Sequence, residues 1–128
     1  MVDALELVIP AQGAELHVLR RQIDVWAGPY LPEALLQDLK LAVTEACANA
    51  LVHSGTQEIR ISVRLVDSCV EVVVADDGIY RELRSSVEDG ADAHRGLALM
   101  DALVDDLTLS RGTESRAGTT VRMRKCLA

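Results

Sequence analysis

The stretch Glu58-Ile59-Arg60-Ile61-Ser62-Val63-Arg64-Leu65-Val66-Asp67-Ser68-Cys69-Val70-Glu71-Val72-Val73-Val74-Ala75-Asp76 decides the fold class. In its first half Ile59, Ile61, Val63 and Leu65 alternate with Glu58, Arg60, Ser62 and Arg64. Successive side chains of a strand point to opposite faces, so this alternation buries one face and leaves the other wet. Asp67-Ser68 reads as a hairpin turn. Residues 69–76 are apolar on nearly both faces, as suits a central strand. Asp76 ends that strand with the parity of Val70, Val72 and Val74, which places an acid on the inward face.

Upstream, residues 4–9 read as a first strand stopped by Pro10. Residues 13–27 carry a helical stripe of Leu16, Leu19, Ile23 and Trp26. After the breaker cluster Gly28-Pro29-Tyr30-Leu31-Pro32, a long helix runs from about Pro32 to His53 and ends at Ser54-Gly55. Downstream, 77–94 is a long polar connection and 96–105 a short helix. Residues 106–111 and 119–125 form a second strand pair with Leu107, Leu109, Val121 and Met123 inward. Strands that come in hairpins with one wet face predict an α+β two-layer sandwich. Its helices lie on one face of a mixed, mostly antiparallel sheet, in one domain spanning residues 1–128.

Composition narrows the function classes. The net charge of −7 argues against a nucleic-acid surface, which would carry a basic stripe, and against an anionic membrane surface. No stretch approaches the roughly 20 apolar residues of a membrane helix. Met1-Val2-Asp3 lacks the basic start of a signal peptide. Cys47, Cys69 and Cys126 are odd in number and show no CxxC spacing, so neither a disulfide framework nor a zinc site is expected. Cys47 and Cys69 read as small buried apolar residues, and a reducing cytoplasm fits.

Four features are candidates to carry chemistry, and each taken alone reads equally as ordinary structure. Glu45 and Asn49 stand one turn apart on the long helix, among so many apolar neighbours that the helix should be largely buried. A buried carboxylate and amide need partners, which a hard cation with phosphate oxygens would supply. They could equally be ordinary polar residues on a wet stripe with Asp38. Asp76-Asp77-Gly78 combines an inward acceptor with a turn. Arg95-Gly96 precedes a helix whose N-terminal amides can bind an anion. Gly118-Thr119-Thr120 opens the last strand, and Thr119 turns its hydroxyl inward.

Taken in order, Glu45-x3-Asn49-x3-His53, Asp76-x-Gly78, Arg95-Gly96-Leu97-Ala98-Leu99-Met100 and Gly118-Thr119-Thr120 resemble the four nucleotide boxes of the histidine-kinase-like (GHKL) ATPases. That superfamily includes gyrase-type topoisomerases, heat-shock chaperones and sensor kinases. Most similar are the small anti-sigma-factor serine kinases, which also begin with a strand and two helices.

The resemblance implies a Bergerat-type ATP-binding fold that binds ATP and Mg²⁺. Asn49 would bind the Mg²⁺ that bridges the phosphates, and Glu45 would be the general base that prepares a serine hydroxyl. Asp76 would accept from the adenine amino group with Thr119 beside it, and Gly78 would let backbone approach the base. Arg95, Gly96 and Leu97 would meet the phosphates at the end of a lid, while His53 would pack or support. The implied partners are a sigma factor and an antagonist protein, with a homodimer as the implied assembly. Two departures stand out: Tyr80 occupies the second glycine of the usual Asp-x-Gly-x-Gly, and His94 the glycine before Arg-Gly. They leave open a second reading, a binding module of the same fold that acts by sequestration.

Overall fold

The computed structural model describes residues 4–53, 58–76, 98–113 and 116–127. Strand β1 (Ala4–Pro10) leads into helices α1 (Glu15–Ala27) and α2 (Glu33–His53). Strands β2 (Glu58–Val66) and β3 (Cys69–Asp76) follow, then β4 (Asp106–Thr113) and β5 (Arg116–Cys126). The strands form one sheet in the order β1-β2-β3-β5-β4, with β3 in the middle. The expected mixed, mostly antiparallel sheet is antiparallel at all four described pairings. Residues 98–103 form a helical turn before β4.

The alternation in β2 holds residue for residue. Ile59, Ile61 and Val63 are buried with Val70, Val72, Val74, Val121 and Met123, against Leu19 and Ile23 of α1 and Leu39, Val43 and Ala46 of α2. The core is aliphatic and lies between the sheet and the two helices. In the hairpin between β2 and β3, Asp67 takes a positive φ of 54°, a conformation Asp tolerates better than most residues. Lys125, on the inner face of β5, is buried and donates to the Leu103 carbonyl (2.6 Å) and to Asp38 on α2 (3.3 Å). It ties the 98–103 turn and α2 to the sheet.

Three expectations change. First, α2 buries one face and not its whole circumference: Leu36, Leu39, Val43, Ala46 and Ala50 are buried, whereas Leu41 is 46% exposed. A two-layer sandwich covers a helix from the sheet side only. Second, Cys69 is not a buried apolar residue. It sits directly opposite Cys126 on β5, on the outer face, and the two form a disulfide. Odd count and spacing gave no hint of it because cross-strand register made the pair. Third, the outer face is not uniformly wet.

Glu71, on that outer face, is fully buried beneath arginines. Arg64 and Arg124 are its direct neighbours on β2 and β5, so one row runs across three strands. Arg64 Nη2 lies 2.9 Å from the carboxylate, Arg124 Nε 2.8 Å, and Arg122 Nε 3.8 Å. Burial by itself pushes this carboxyl up. The hydrogen bonds from Arg124 and Arg64 and the charges of Arg64 and Arg122 outweigh it and hold the carboxyl below the usual range. A lowered folded value means the stabilisation is present above the ordinary carboxylate range and is lost as pH falls through the folded value. Glu71→Gln keeps the shape and removes the charge. It is expected to lower unfolding free energy by about 1–2 kcal/mol at pH 7, since the arginines are half-exposed and screened. Urea denaturation across pH checks this: the wild-type and variant curves converge in acid.

Candidate functional site

Two of the expected site residues, Asp76 and Thr119, meet at one end of the sheet. Asp76 closes β3, and its direct neighbours are Ile59 on β2 and Thr119 on β5. Both Asp76 and Thr119 are buried and face the helices, as their parity required. The sequence shapes this corner through Gly118, which has φ 127°. Between Arg111 and Thr113 on β4 the register against β5 shifts, so β5 carries one extra residue there. Glycine admits this irregularity, and the bulge stands immediately before Thr119.

Thr119 Oγ1 is buried and has no hydrogen-bond partner among the described residues. An orphaned hydroxyl in a folded interior is uncommon and costs stability unless a ligand supplies the partner. Its position opposite Asp76 pairs a neutral donor/acceptor with a carboxylate acceptor. That donor set fits a flat heterocycle bearing an amino group.

Glu45 and Asn49 lie in the second half of α2, on a half-buried stripe with Asp38 and Leu41. No side-chain hydrogen bond or ion pair of either is found among the described residues. The chain brings this half of α2 to the Asp76 corner. Only residues 54–57 separate His53 at the end of α2 from Glu58, and Ile59 is the cross-strand partner of Asp76. Such a connection spans at most about 17 Å. Helix α2 also packs on both β3 and β5. The C-terminal end of α2, which follows Glu45 and Asn49, is therefore tethered by a short connection to the strand end that pairs with Asp76.

The other expected site residues lie outside the described residues: Gly78, Arg95, Gly96 and Leu97, with the 77–94 connection and its Tyr80 and His94. The same holds for the side chain of His53. The third cysteine, Cys47, is buried within α2, and burial pushes its thiol up to about 12. It stays protonated and is no nucleophile. A groove of about 510 Å³ runs between α1 and α2, lined by His17, Arg20, Asp24, Lys40 and Leu41 among others. Leu41 stands one turn before Glu45, so the groove ends beside the stripe that carries it. Sequence reasoning missed this groove, since it depends on how two amphipathic helices meet. Lys40 spans it to Asp24 at 2.8 Å.

Comparison with known proteins bears on the family and the fold. The family model described as Histidine kinase-like ATPase domain matches residues 9–125. The serine-protein kinase RsbW of Bacillus velezensis is 31% identical over 144 residues, covering 98% of this chain and 87% of the relative. The serine-protein kinase RsbW of Bacillus subtilis is 28% identical over 143 residues, covering 98% and 86%. Among solved structures, the histidine kinase domain from the Erythrobacter litoralis EL346 blue-light activated histidine kinase aligns with a TM-score of 0.57 at 21% identity. The match covers 93% of this chain and 62% of that one, and at this identity it speaks to the fold alone. With the family match spanning nearly the whole chain and the fold agreeing, this protein belongs to the histidine kinase-like ATPase domain family.

Proposed function

We propose that this chain is an ATP-dependent protein-serine kinase and an anti-sigma factor. It sequesters a sigma factor and phosphorylates a serine on an antagonist protein, so that phosphorylation decides which partner is held. One observation supports the nucleotide half of this reading: the buried Thr119 hydroxyl, without a hydrogen-bond partner among the described residues, stands directly opposite Asp76. The kinase half is supported by relatives named serine-protein kinase that align over nearly the whole chain. The partners follow from the resemblance to anti-sigma-factor kinases. With it go a single domain spanning the chain, a cytoplasmic setting and a homodimer.

In this reading Asp76 accepts from the adenine amino group and Thr119 adds a hydrogen bond beside it. Asn49 would offer one neutral oxygen to Mg²⁺, a hard cation that protein alone seldom surrounds. When bound, the ion would supply positive charge against the phosphates. Glu45 accepts the proton of the serine hydroxyl as its oxygen attacks the γ-phosphorus, and ADP leaves with the bridging oxygen. Arg95, Gly96 and Leu97 meet the phosphates, and Gly78 allows backbone near the base.

A nucleotide titration tests the reading. Wild type is expected to bind ATP tightly only with Mg²⁺, and Asn49→Ala to lose about tenfold to a hundredfold of that affinity, the value of a ligand bond to a charged centre. Equal affinity with and without Mg²⁺, unchanged by Asn49→Ala, would remove Asn49 from the site.

Tyr80 and His94, in place of the usual glycines, favour a second reading: a domain that retains the fold and sequesters a partner without phosphotransfer. Incubation with labelled ATP and candidate antagonist proteins separates the two. Label on a serine supports the kinase; tight partner binding without label supports the sequestering module.

A further inference from the structure

Far from the nucleotide corner, the opposite end of the β3–β5 ladder closes with Cys69 facing Cys126, their Cα atoms 4.0 Å apart. Both residues lie on the outer face of the sheet and both are partly exposed. We infer that Cys69 and Cys126 form a reversible thiol–disulfide site that a dithiol reductant opens and an oxidised thiol closes while the chain stays folded.

Three observations carry this. The first is access: the pair lies at the rim of the sheet, whereas Cys47 is sealed inside α2 with its thiol pushed up to about 12. Exposed disulfides in a structured frame are the exchangeable ones, and a buried protonated thiol is inert. The second is charge. Arg124 shares the face two residues before Cys126, and Arg64 and Arg122 crowd the same Glu71 carboxylate. Three guanidiniums against the carboxylates of Glu71 and Asp105 leave a net positive surround, which favours the thiolate that leaves during exchange. The third is backbone support that does not pass through sulfur. The Cys126 N–H donates to the Asp105 carboxylate at 2.7 Å, and the Leu127 N–H donates to the Ser68 carbonyl at 3.1 Å. With β5 paired on both sides, opening the sulfur link leaves the two cysteines in place to close again.

The exchange balances. One thiolate of the dithiol attacks a sulfur of the pair and forms a mixed disulfide, releasing the other cysteine as a thiolate. The second thiol of the reductant then displaces the first cysteine. The dithiol ends as a cyclic disulfide, and its two electrons and two protons reside on Cys69 and Cys126. The reverse direction consumes one molecule of oxidised thiol, or one protein disulfide, and releases its two sulfurs as thiols carrying the two electrons and two protons.

The closed form ties residues 57 apart in sequence, a loop that includes the whole connection from β3 to β4. Closing a loop of that length restricts the unfolded chain and is expected to raise the melting temperature by about 10 °C. The nucleotide corner lies seven residues along the same ladder, about 24 Å away, so ATP affinity is expected to stay within about twofold.

The test uses the whole folded chain, titrated with dithiothreitol and then with oxidised glutathione. At each step thiols are alkylated without denaturant, counted by intact mass and located by peptide mapping. The expected result is coordinate labelling of Cys69 and Cys126 in reductant, protection of Cys47, return of the pair to the unlabelled form on oxidation, and a melting temperature that follows the same titration. Cys69→Ser with Cys126→Ser should melt like the reduced chain and ignore both reagents. Labelling that requires denaturant, failure of the pair to re-form on oxidation, or a double variant that still responds would each overturn the inference. None of these outcomes depends on whether the chain binds ATP.

Discussion

Glu45→Ala is expected to lower phosphoryl transfer to a serine substrate by about a hundredfold to ten-thousandfold, the range for losing a positioned general base. ATP affinity should change by less than about twofold, because the base acts on the acceptor hydroxyl and not on the nucleotide. The structure makes this separation practical. Glu45 sits on the half-buried stripe of α2, clear of the packed face formed by Leu39, Val43, Ala46 and Ala50. Alanine is a strong helix former, so α2 should keep its stability. Single-turnover transfer from labelled ATP, beside a binding titration and a melting curve, reads all three quantities. Transfer at the wild-type rate would strip Glu45 of its role while leaving the nucleotide site standing. Loss of both transfer and binding would move Glu45 into the phosphate site.

Asp76→Ala is expected to weaken ATP binding by about tenfold to a hundredfold, the cost of deleting a charged hydrogen-bond acceptor from a buried site. A purine nucleotide without the exocyclic amino group should bind wild type and variant nearly alike, since it makes no use of the carboxylate. Thr119→Val serves as the companion. It removes an orphaned hydroxyl at nearly constant shape, so the nucleotide-free fold should be as stable as wild type or more so, while ATP affinity falls several-fold. A variant that melts higher and binds ATP more weakly is the signature of a polar group kept for a ligand. Unchanged affinity in both variants would place the adenine elsewhere.

Much of this molecule is legible in its sequence, for reasons visible in particular residues. The two-residue period of Ile59, Ile61, Val63 and Leu65 is set by strand geometry alone, so it survives every detail of packing. The inward turn of Asp76 and Thr119 follows from the same parity. That they face each other was implied by the family resemblance and not by parity, because register across the long 77–97 connection depends on the whole sheet. Register also hid the row Arg64–Glu71–Arg124. By parity Glu71 belongs to the outer face, and only long side chains from both flanking strands bury it. Cys69 and Cys126 were hidden in the same way. The apolar content of α2 led to the opposite error: composition implied burial all round, but a two-layer architecture has no second layer to cover Leu41, Glu45 and Asn49.

The position of β5 has a consequence for synthesis. It is the last strand of the chain in sequence, yet it lies inside the sheet, hydrogen-bonded to β3 on one side and β4 on the other. While a ribosome is still translating residues 116–126, β3 presents an unpaired apolar edge and β4 has no neighbour. Unpaired edges of this kind invite pairing with other nascent chains. The native sheet can therefore be completed only after these residues emerge from the exit tunnel, and the interval before that is the one in which a chaperone holding the β3 edge would raise the yield.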